Sequence, residues 1–215
     1  MRKGDLYIWY HAKMRSENSE IHCPDEDEVR KYLKIWDDDE NYRKPAEALQ
    51  KLFAEYLPAN KHISDILIKT YALNDAYRTN LRGRQIVTVA KHIKTRNIDV
   101  DLLAGKSAVV DEIRTGHGVT TKKDTEINFY VFATKYCSFH NSDKYPIFDS
   151  NVETALIHFK RHCGFEFNGD LRKYEDFVCV IENFKKNFGL DFTFRDIDKY
   201  LYLVGRKLNP PKKKA

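Results

Sequence analysis

The sequence predicts an all-α protein, and two observations support that prediction. Apolar residues recur at helical spacing along most of the 215 residues, and Pro, Gly and Asn stand between the apolar stretches. The composition, with 42% hydrophobic and 32% charged residues, is typical of a folded globular chain with enough apolar side chains for a core. No internal repeat and no Gly- or Pro-rich linker divides the chain.

The first predicted helices are framed by acidic residues and prolines. Residues 26–36 combine an apolar face with acids in the first turn, where the helix dipole favours them. Pro45 suits the first turn of a second helix, which Pro58 ends. Residues 62–77 form a third predicted helix.

Further helices are predicted along the rest of the chain. A fourth starts near Arg82, and residues 99–113 read as two short helices separated by Gly105. Residues 115–124, with two glycines and two lysines, are the best loop candidate. The remaining predicted helices cover residues 126–140, 150–162, 171–188 and 194–208.

Charge and hydropathy set limits on location and partners. No apolar run reaches membrane-spanning length, and the polar start lacks the apolar region of a signal peptide, so we expect a cytoplasmic protein with no membrane partner. The net charge of +5 permits nucleic-acid binding without requiring it. Residues 78–96 are rich in Lys and Arg and contain no acid, which suits a solvated helix face or a nucleic-acid contact.

The cysteines and histidines give weaker signals. The four cysteines lack CxxC spacing, and without an export signal they are expected to be reduced thiols that mostly fill the core. His158 and His162 are one helical turn apart, and Cys163 follows, so a zinc site is conceivable. No acidic or Cys partner with matching spacing stands nearby, and we predict no metal and no cofactor.

The stretch "KYPIFDSNV" places a carboxylate where an extended segment becomes a helix. Pro146 favours extended geometry for Tyr145, and apolar residues at helical spacing begin after Asp149. A carboxylate at this position can accept backbone N–H bonds and oppose the helix dipole. Asp149 is therefore predicted to be a helix N-cap.

Three stretches, taken together, resemble a known enzyme superfamily. They are "TYALNDAYRTNL" at 70–81, "NFYVFATKYCSFHNSDKYPIFDSNV" at 128–152 and "RDIDKYLYLVGRKL" at 195–208. In this order they are similar to the helix-hairpin-helix base-excision DNA glycosylases, especially a divergent group like 8-oxoguanine DNA glycosylase. The resemblance implies a helical fold with two lobes and a cleft between them, over residues 61–208. Residues 1–60 would form an unassigned N-terminal helical region, and residues 209–215 a basic tail.

The resemblance also implies a catalytic pair. Asp149 would be the carboxylate that helps the glycosidic bond break, and Lys135 the amine that attacks sugar C1′ to give a Schiff base. In that family the lysine usually lies about one helical turn further upstream, near Val131, and one turn keeps the same helix face. The apolar residues around Lys135 predict that it borders buried surface. The substrate would be duplex DNA with a flipped base, bound by a protein that we expect to be a monomer.

The predicted nucleic-acid contacts come from two basic segments. They are Arg78, Arg82 and Arg84 in the first, and Lys122 and Lys123 in the loop before the Lys135 helix. Asn74 belongs to an ordinary polar helix face, or to a segment inserted beside the flipped nucleotide. His140 and Asn141 are predicted to cap the end of the Lys135 helix, with Asn141 in the left-handed conformation and His140 complementing the dipole.

Two other functions stay open at this point. A nucleic-acid-binding module could keep the fold without the chemistry, and it predicts a basic surface without an enclosed base pocket. A helical interaction protein with no nucleic-acid partner predicts Lys135 buried against an acid, with no cleft.

Overall fold

A computed structural model describes residues 21–210 and confirms the all-α prediction for that part of the chain. The first 20 residues of the predicted N-terminal region, and residues 211–215 of the predicted tail, lie outside it. Within residues 21–210 no strand forms, and Thr120 and Glu126 make an isolated β-bridge. The helices are α1 (Glu26–Asp38), α2 (Glu40–Lys51), α3 (Ile63–Tyr77), α4 (Arg84–Arg96), α5 (Asp99–Ala104), α6 (Ala108–Arg114), α7 (Tyr130–His140), α8 (Ser150–His162), α9 (Tyr174–Asn187) and α10 (Phe194–Leu208).

The first two helices begin at aspartate caps. Asp25 accepts from Glu28 N at 2.7 Å, and Asp39 accepts from Asn41 N at 2.8 Å. The predicted start of α2 at Pro45 is wrong, because the Asp39 cap starts the helix five residues earlier and leaves Pro45 inside it. A π-helical turn (Leu52–Tyr56) continues α2.

The predicted loop at residues 115–124 is longer than expected, because a tight turn follows it and α7 begins later in the sequence. Ile127 N donates to Val119 O at 2.8 Å, and Phe129 N donates to Arg114 O at 3.0 Å. Because these bonds hold residues 119–129 out of helical geometry, α7 begins at Tyr130, later than predicted. The break at Gly105 is confirmed, and this glycine has a left-handed φ of 77°.

Helix α7 lies at the centre of the fold. Its buried residues include Lys135 and run almost without interruption from Tyr130 to Phe139. It packs against α3, α6 and the π-helical turn, within a continuous apolar core. A helix buried on nearly all sides has little freedom to rotate or slide, so it fixes the position of any polar side chain it carries.

Helices α8 and α10 cross at close range, and α1 packs on α10. Gly205 of α10 lies against the backbone of Asn151 in the first turn of α8, and a Cβ at this position would overlap the Asn151 carbonyl. The close approach therefore requires the absence of a side chain at residue 205.

A disulfide joins Cys23 to Cys163, across 140 residues of sequence. The prediction that the cysteines are reduced thiols is wrong for this pair. It failed because sequence spacing cannot reveal that the segment before α1 lies beside the end of α8. Cys137 is a buried free thiol, as expected for a core filler, and Cys179 is free and exposed.

Replacing Gly205 by Ala is expected to destabilise the protein, although Ala is the better helix former. Intrinsic propensity alone would stabilise α10 by about 1 kcal/mol, whereas the added methyl forces α8 and α10 apart, which we expect to cost about 2 kcal/mol or more. Urea unfolding of both proteins checks the sign.

Gly169→Ala is the matched control for this substitution. The nearest atoms to a Cβ at Gly169 are 3.2–3.4 Å away and belong mainly to side chains, so we expect a smaller effect there. An unchanged or raised stability of Gly205→Ala would contradict the close crossing.

Candidate functional site

Lys135 of α7 and Asp149, which precedes α8, form a buried ion pair. Lys135 Nζ donates to Asp149 Oδ2 at 3.1 Å, across 14 residues of sequence. Lys135 is 4% exposed and Asp149 is 8% exposed. The prediction that Lys135 borders buried surface is thus confirmed, and the two residues proposed as a catalytic pair are brought together.

Asp149 uses its two carboxylate oxygens differently. Oδ1 accepts from Asn151 N at 2.9 Å and from Val152 N at 3.1 Å, which confirms the predicted N-cap of α8. Oδ2 faces Lys135. Because both oxygens are engaged, the carboxylate is held in one orientation between the start of α8 and the amine.

The Lys135 ammonium has two further neighbours, Tyr77 and Asp198. Its Nζ lies 4.7 Å from the centroid of the Tyr77 ring, within range of a cation–π interaction. Burial lowers the pKa of Lys135, but the attraction of Asp149, Asp198 and Tyr77, with the hydrogen bond to Asp149, outweighs burial and raises this pKa. Lys135 is therefore protonated at neutral pH and must lose a proton before it can act as a nucleophile.

Asp198 of α10 is a member of this cluster that the sequence analysis missed. Burial raises the pKa of its carboxyl group to about 6, against the attraction of Lys135 and Arg195 and with the added repulsion of Asp149. A group with this pKa exchanges its proton close to neutral pH. The three-residue spacing of Arg195 and Asp198 marks one face of α10, but nothing in the sequence connects that face to α7.

A polar cavity of about 590 Å³ opens at the N-terminal end of α7. We name it the Arg82 cavity; its polar side chains include Asn80, Arg82, Gln85, Asn128 and Arg172. Val131 and Tyr130 form part of its wall, whereas Lys135 and Asp149 do not line it. No carboxylate of the described residues lines the cavity, so its charge is positive.

Arg172 of the Arg82 cavity makes an ion pair and a contact with an aromatic ring. Its guanidinium pairs with Glu153 at 2.7 Å and lies 5.0 Å from the centroid of the Phe148 ring. The Glu153 carboxylate offsets part of its charge. Arg172 was not predicted, because it stands in the irregular segment before α9, far in sequence from the basic stretch.

The five residues predicted to contact nucleic acid are all exposed. Arg82 lines the cavity, and Arg84 begins α4. Arg78 follows α3 with a left-handed φ of 48°, and Lys122 and Lys123 lie in the tight turn before α7. The structure thus brings one of the five predicted residues to the cavity.

Asn74 has a clear structural role. Its Oδ1 accepts from Thr79 Oγ1 at 2.9 Å and from Leu81 N at 3.0 Å, and its Nδ2 donates to Leu81 O at 3.0 Å. These bonds hold the turn between α3 and α4, which carries Asn80 and Arg82 into the wall of the cavity.

A second buried amine, Lys69, was also missed. It is 0% exposed, and its Nζ donates to Leu57 O and Ala59 O at 3.0 Å each and to Asn60 Oδ1 at 2.7 Å. Burial lowers the pKa of Lys69 to about 8, although Asp99 and Asp65 raise it. Because the protein's own oxygens take these hydrogen bonds, Lys69 is a structural residue that joins α3 to the end of the π-helical turn.

Asn141 is the C-cap of α7, as predicted, and its backbone N–H donates to Cys137 O, but it is not left-handed and His140 does not complement the dipole. His140 Nε2 lies 3.1 Å from Lys69 Nζ, and burial together with the Lys69 charge lowers the pKa of His140 well below its usual value. A neutral imidazole does not complement a helix dipole. Asn141 has a φ of −151°, outside the left-handed region, and donates through Nδ2 to Leu103 O at 3.1 Å.

Comparison with known proteins places the chain in one family. The model of the HI_0787_N family, described as an N-terminal domain, matches residues 28–144. The chain belongs to this family. A relative from Haemophilus influenzae, described as an uncharacterized protein, is 35% identical over 161 residues, which cover 74% of this chain and 75% of the relative. No solved structure matches the chain.

Across residues 21–210, no helix is both long enough and apolar enough to span a bilayer.

Lys135→Met is expected to lower the free energy of unfolding by about 3 kcal/mol, because it leaves the Asp149 carboxylate buried without its cation. Asp149→Asn keeps an oxygen for the N-cap but strands the ammonium. The double variant should cost less than the sum of the two single changes, since neither charge is then left alone. Urea unfolding of the four proteins measures this coupling.

Lys34→Met is the control for the loss of a lysine. Lys34 pairs with Asp38 at the solvent-exposed surface, and its replacement should change stability little. Strict additivity of the Lys135 and Asp149 changes would contradict a buried pair.

Asp198 should make stability depend on pH. Its pKa is raised in the folded state, so the folded protein holds this proton more tightly, and stability falls as pH rises from about 4 to about 6. Asp198→Asn should flatten the fall in that window, measured by urea unfolding at several pH values. Asp191→Asn, just before α10, controls for the change in net charge; equal slopes in the two variants would contradict the assignment to Asp198.

Proposed function

We propose that this protein is a DNA glycosylase-like enzyme that cleaves the N-glycosidic bond of a modified base. The observation that supports the proposal best is the contact between Lys135 Nζ and Asp149 Oδ2 at 3.1 Å. An amine and a carboxylate at this distance, in a site of low dielectric, are the two groups that Schiff-base glycosylase chemistry requires. The resemblance of residues 61–208 to helix-hairpin-helix glycosylases gives the substrate class.

The proposed chemistry starts with a proton transfer. The Lys135 ammonium gives a proton to a neighbouring carboxylate, and Asp198, with its pKa of about 6, is the best acceptor. The free amine then forms a bond to sugar C1′ while the bond from C1′ to the base breaks, and the leaving base takes the second proton that the amine loses. Asp198 then returns its proton to the sugar ring oxygen as the bond from C1′ to that oxygen breaks, which leaves the protonated Schiff base.

Asp149 stabilises the positive charge that develops on the sugar in this scheme. Its carboxylate is fixed by two backbone N–H groups of α8 and needs no rearrangement to face a cation. With this function we propose a fold of two helical lobes separated by a cleft. DNA would lie in the cleft, against the positively charged Arg82 cavity. Arg78, Arg84, Lys122 and Lys123 would contact phosphates further out.

A second candidate is a nucleic-acid-binding module without catalysis. One observation favours it: the basic Arg82 cavity carries no amine at Tyr130 and Val131, where the glycosylases usually have their lysine. The burial of Lys135 against Asp149 is what the helical interaction protein predicts. On the proposal of a binding module, the ion pair only stabilises the junction of α7 and α8, while Arg82 and Arg172 bind the nucleic acid.

Borohydride trapping on duplex oligonucleotides with an abasic site or 8-oxoguanine distinguishes the two. The enzyme proposal expects a covalent adduct with the wild-type protein and complete loss of it in Lys135→Gln, because borohydride reduces the Schiff base to a stable amine. Asp149→Asn should lower base release by about two orders of magnitude or more, since it removes the carboxylate that faces the sugar cation.

Lys186→Gln, which removes an exposed lysine of α9, is the matched control and should trap like the wild type. Affinity for the same duplexes is measured in parallel with Arg82→Ala. Binding that weakens in Arg82→Ala, without any adduct or base release, would favour the binding module. Absence of both binding and chemistry would reject both candidates and favour a helical interaction protein.

A further inference from the structure

The solvent-exposed face of α4 is basic, and its charges have no partners. Four apolar residues bury one side of the helix, and residues 84, 88, 91 and 95 lie on the opposite, exposed side. Six Lys and Arg residues, and no acid, stand between positions 78 and 96: Arg78, Arg82, Arg84, Lys91, Lys94 and Arg96. None of the six makes an ion pair with any residue of the described range 21–210.

Helix α1 shows the opposite arrangement. Each of its three cations has an acid within one helical turn: Arg30 pairs with Glu26, Lys31 with Glu28, and Lys34 with Asp38. Pairs at this spacing offset the repulsion between neighbouring cations and stabilise a helix. Helix α4 lacks this stabilisation over its whole length, so its charges are not explained by the needs of the helix.

The helix dipole explains only the last two cations of α4. Lys94 and Arg96 lie in the last turn, where positive charge is favoured. Arg84 lies in the first turn, where a cation opposes the dipole, and this turn has neither an acid nor a side-chain cap. Lys91 lies between the two ends. Arg84 and Lys91 therefore carry charges that neither the helix nor its neighbours use, and such charges suit an anionic ligand.

The length and composition of this face fit the backbone of a nucleic-acid duplex. Arg84 and Lys94 are about 15 Å apart along the helix axis, which corresponds to about four phosphates of one DNA strand, at about 3.4 Å of duplex axis each. Residues 78–96 contain no Phe, Tyr or Trp on which the bases of a single strand could stack. The face thus offers charge to phosphates and no platform to unpaired bases.

We propose that the exposed face of α4 binds the phosphate backbone of duplex DNA independently of sequence, with Arg84 and Lys91 as the central contacts. The inference rests on the proposed function for its partner class, and it adds the surface along which the duplex lies. Phosphate contacts position a duplex and carry no sequence information. Thr88 and Thr95 on the same face donate their hydroxyls to Arg84 O and Lys91 O of their own helix, so they are not available to read bases.

The start of α4 connects this face to the Arg82 cavity. Arg82, just before the helix, and Gln85, in its first turn, both line the cavity. The Gln85 side chain accepts from Arg82 N at 2.8 Å, which fixes the two residues relative to each other. A strand that lies along α4 therefore reaches the cavity at the N-terminal end of the helix.

Binding of the full-length protein to undamaged duplexes tests the proposal, by fluorescence anisotropy at several salt concentrations. The wild type should bind two labelled duplexes of unrelated sequence equally well. Arg84→Gln/Lys91→Gln should weaken binding to both by about tenfold or more at low salt, because two phosphate contacts are lost. It should also reduce the slope of log K against log salt concentration by about 1.8, which is about 0.9 for each phosphate contact.

Arg30→Gln/Lys34→Gln is the matched control. It removes the same two kinds of charge from exposed positions of α1, where both are paired, and it should leave the slope unchanged. Circular dichroism and urea unfolding verify that both double variants are folded.

Three results would overturn the proposal: no binding to either duplex, an unchanged slope in the α4 double variant, or an equal loss of affinity in both double variants. Wild-type binding to vesicles rich in an anionic lipid, lost in the α4 double variant and without binding to duplexes, would assign the face to a lipid surface instead. Because these duplexes carry no lesion, the result is independent of catalysis. Duplex binding that depends on α4, without base release from 8-oxoguanine duplexes, would support this inference and reject the enzyme. Base release with an unchanged slope in the α4 double variant would keep the enzyme and reject this inference.

Discussion

The rest of this structure depends on the burial of two lysines at the apolar helix α7: Lys135, which belongs to α7, and Lys69, which lies beside it. An unpaired ammonium in the core costs about as much free energy as a whole domain gains by folding, so each amine needs a full set of partners. Lys135 of α7 has Asp149, and Lys69, which lies beside α7, has the carbonyls of residues 57 and 59 and the Asn60 side chain. These partners stand in the connections around the helices. The two charges therefore fix the path of chain segments that apolar packing alone would leave undefined.

The crossing of α8 and α10 extends this constraint to the third helix of the site. Asn151, whose carbonyl meets Gly205, is two residues beyond Asp149, so the close approach occurs next to the ion pair. Asp198 lies two helical turns before Gly205, on the same face of α10. The close crossing at Gly205 thus lies on the same helix that carries Asp198. The raised pKa of Asp198 follows from its position, because the group is buried beside another carboxylate.

The sequence predicts what depends on near neighbours and fails where distant segments meet. The Gly105 break, the Asp149 cap and the burial of Lys135 follow from residues a few positions apart, and these three predictions are confirmed. The predicted start of α2 is wrong because Pro45 favours a helix start at its own position, whereas the Asp39 cap starts the helix earlier. Lys69, Asp198, Arg172 and the Cys23–Cys163 bond depend on contacts between remote elements, and no local pattern indicates them. His140 shows the same limit, since burial, and then the charge of Lys69 from α3, lower the pKa of its imidazole.

The buried ion pair is compatible with the proposed catalysis if the substrate supplies a positive charge to Asp149 when Lys135 moves away from it. Exposing Lys135 to a sugar breaks its bond to Asp149, and a stranded carboxylate is costly. A glycosidic bond that is breaking places positive charge on the sugar, however, and that charge can occupy the place of the ammonium beside Asp149. In the proposed chemistry, the positive charge on the sugar replaces the ammonium that Asp149 loses when Lys135 gives up its proton. Because two N–H groups of α8 already orient the Asp149 carboxylate, the proposed function would use for the sugar cation the same fixed charge that stabilises the resting ion pair.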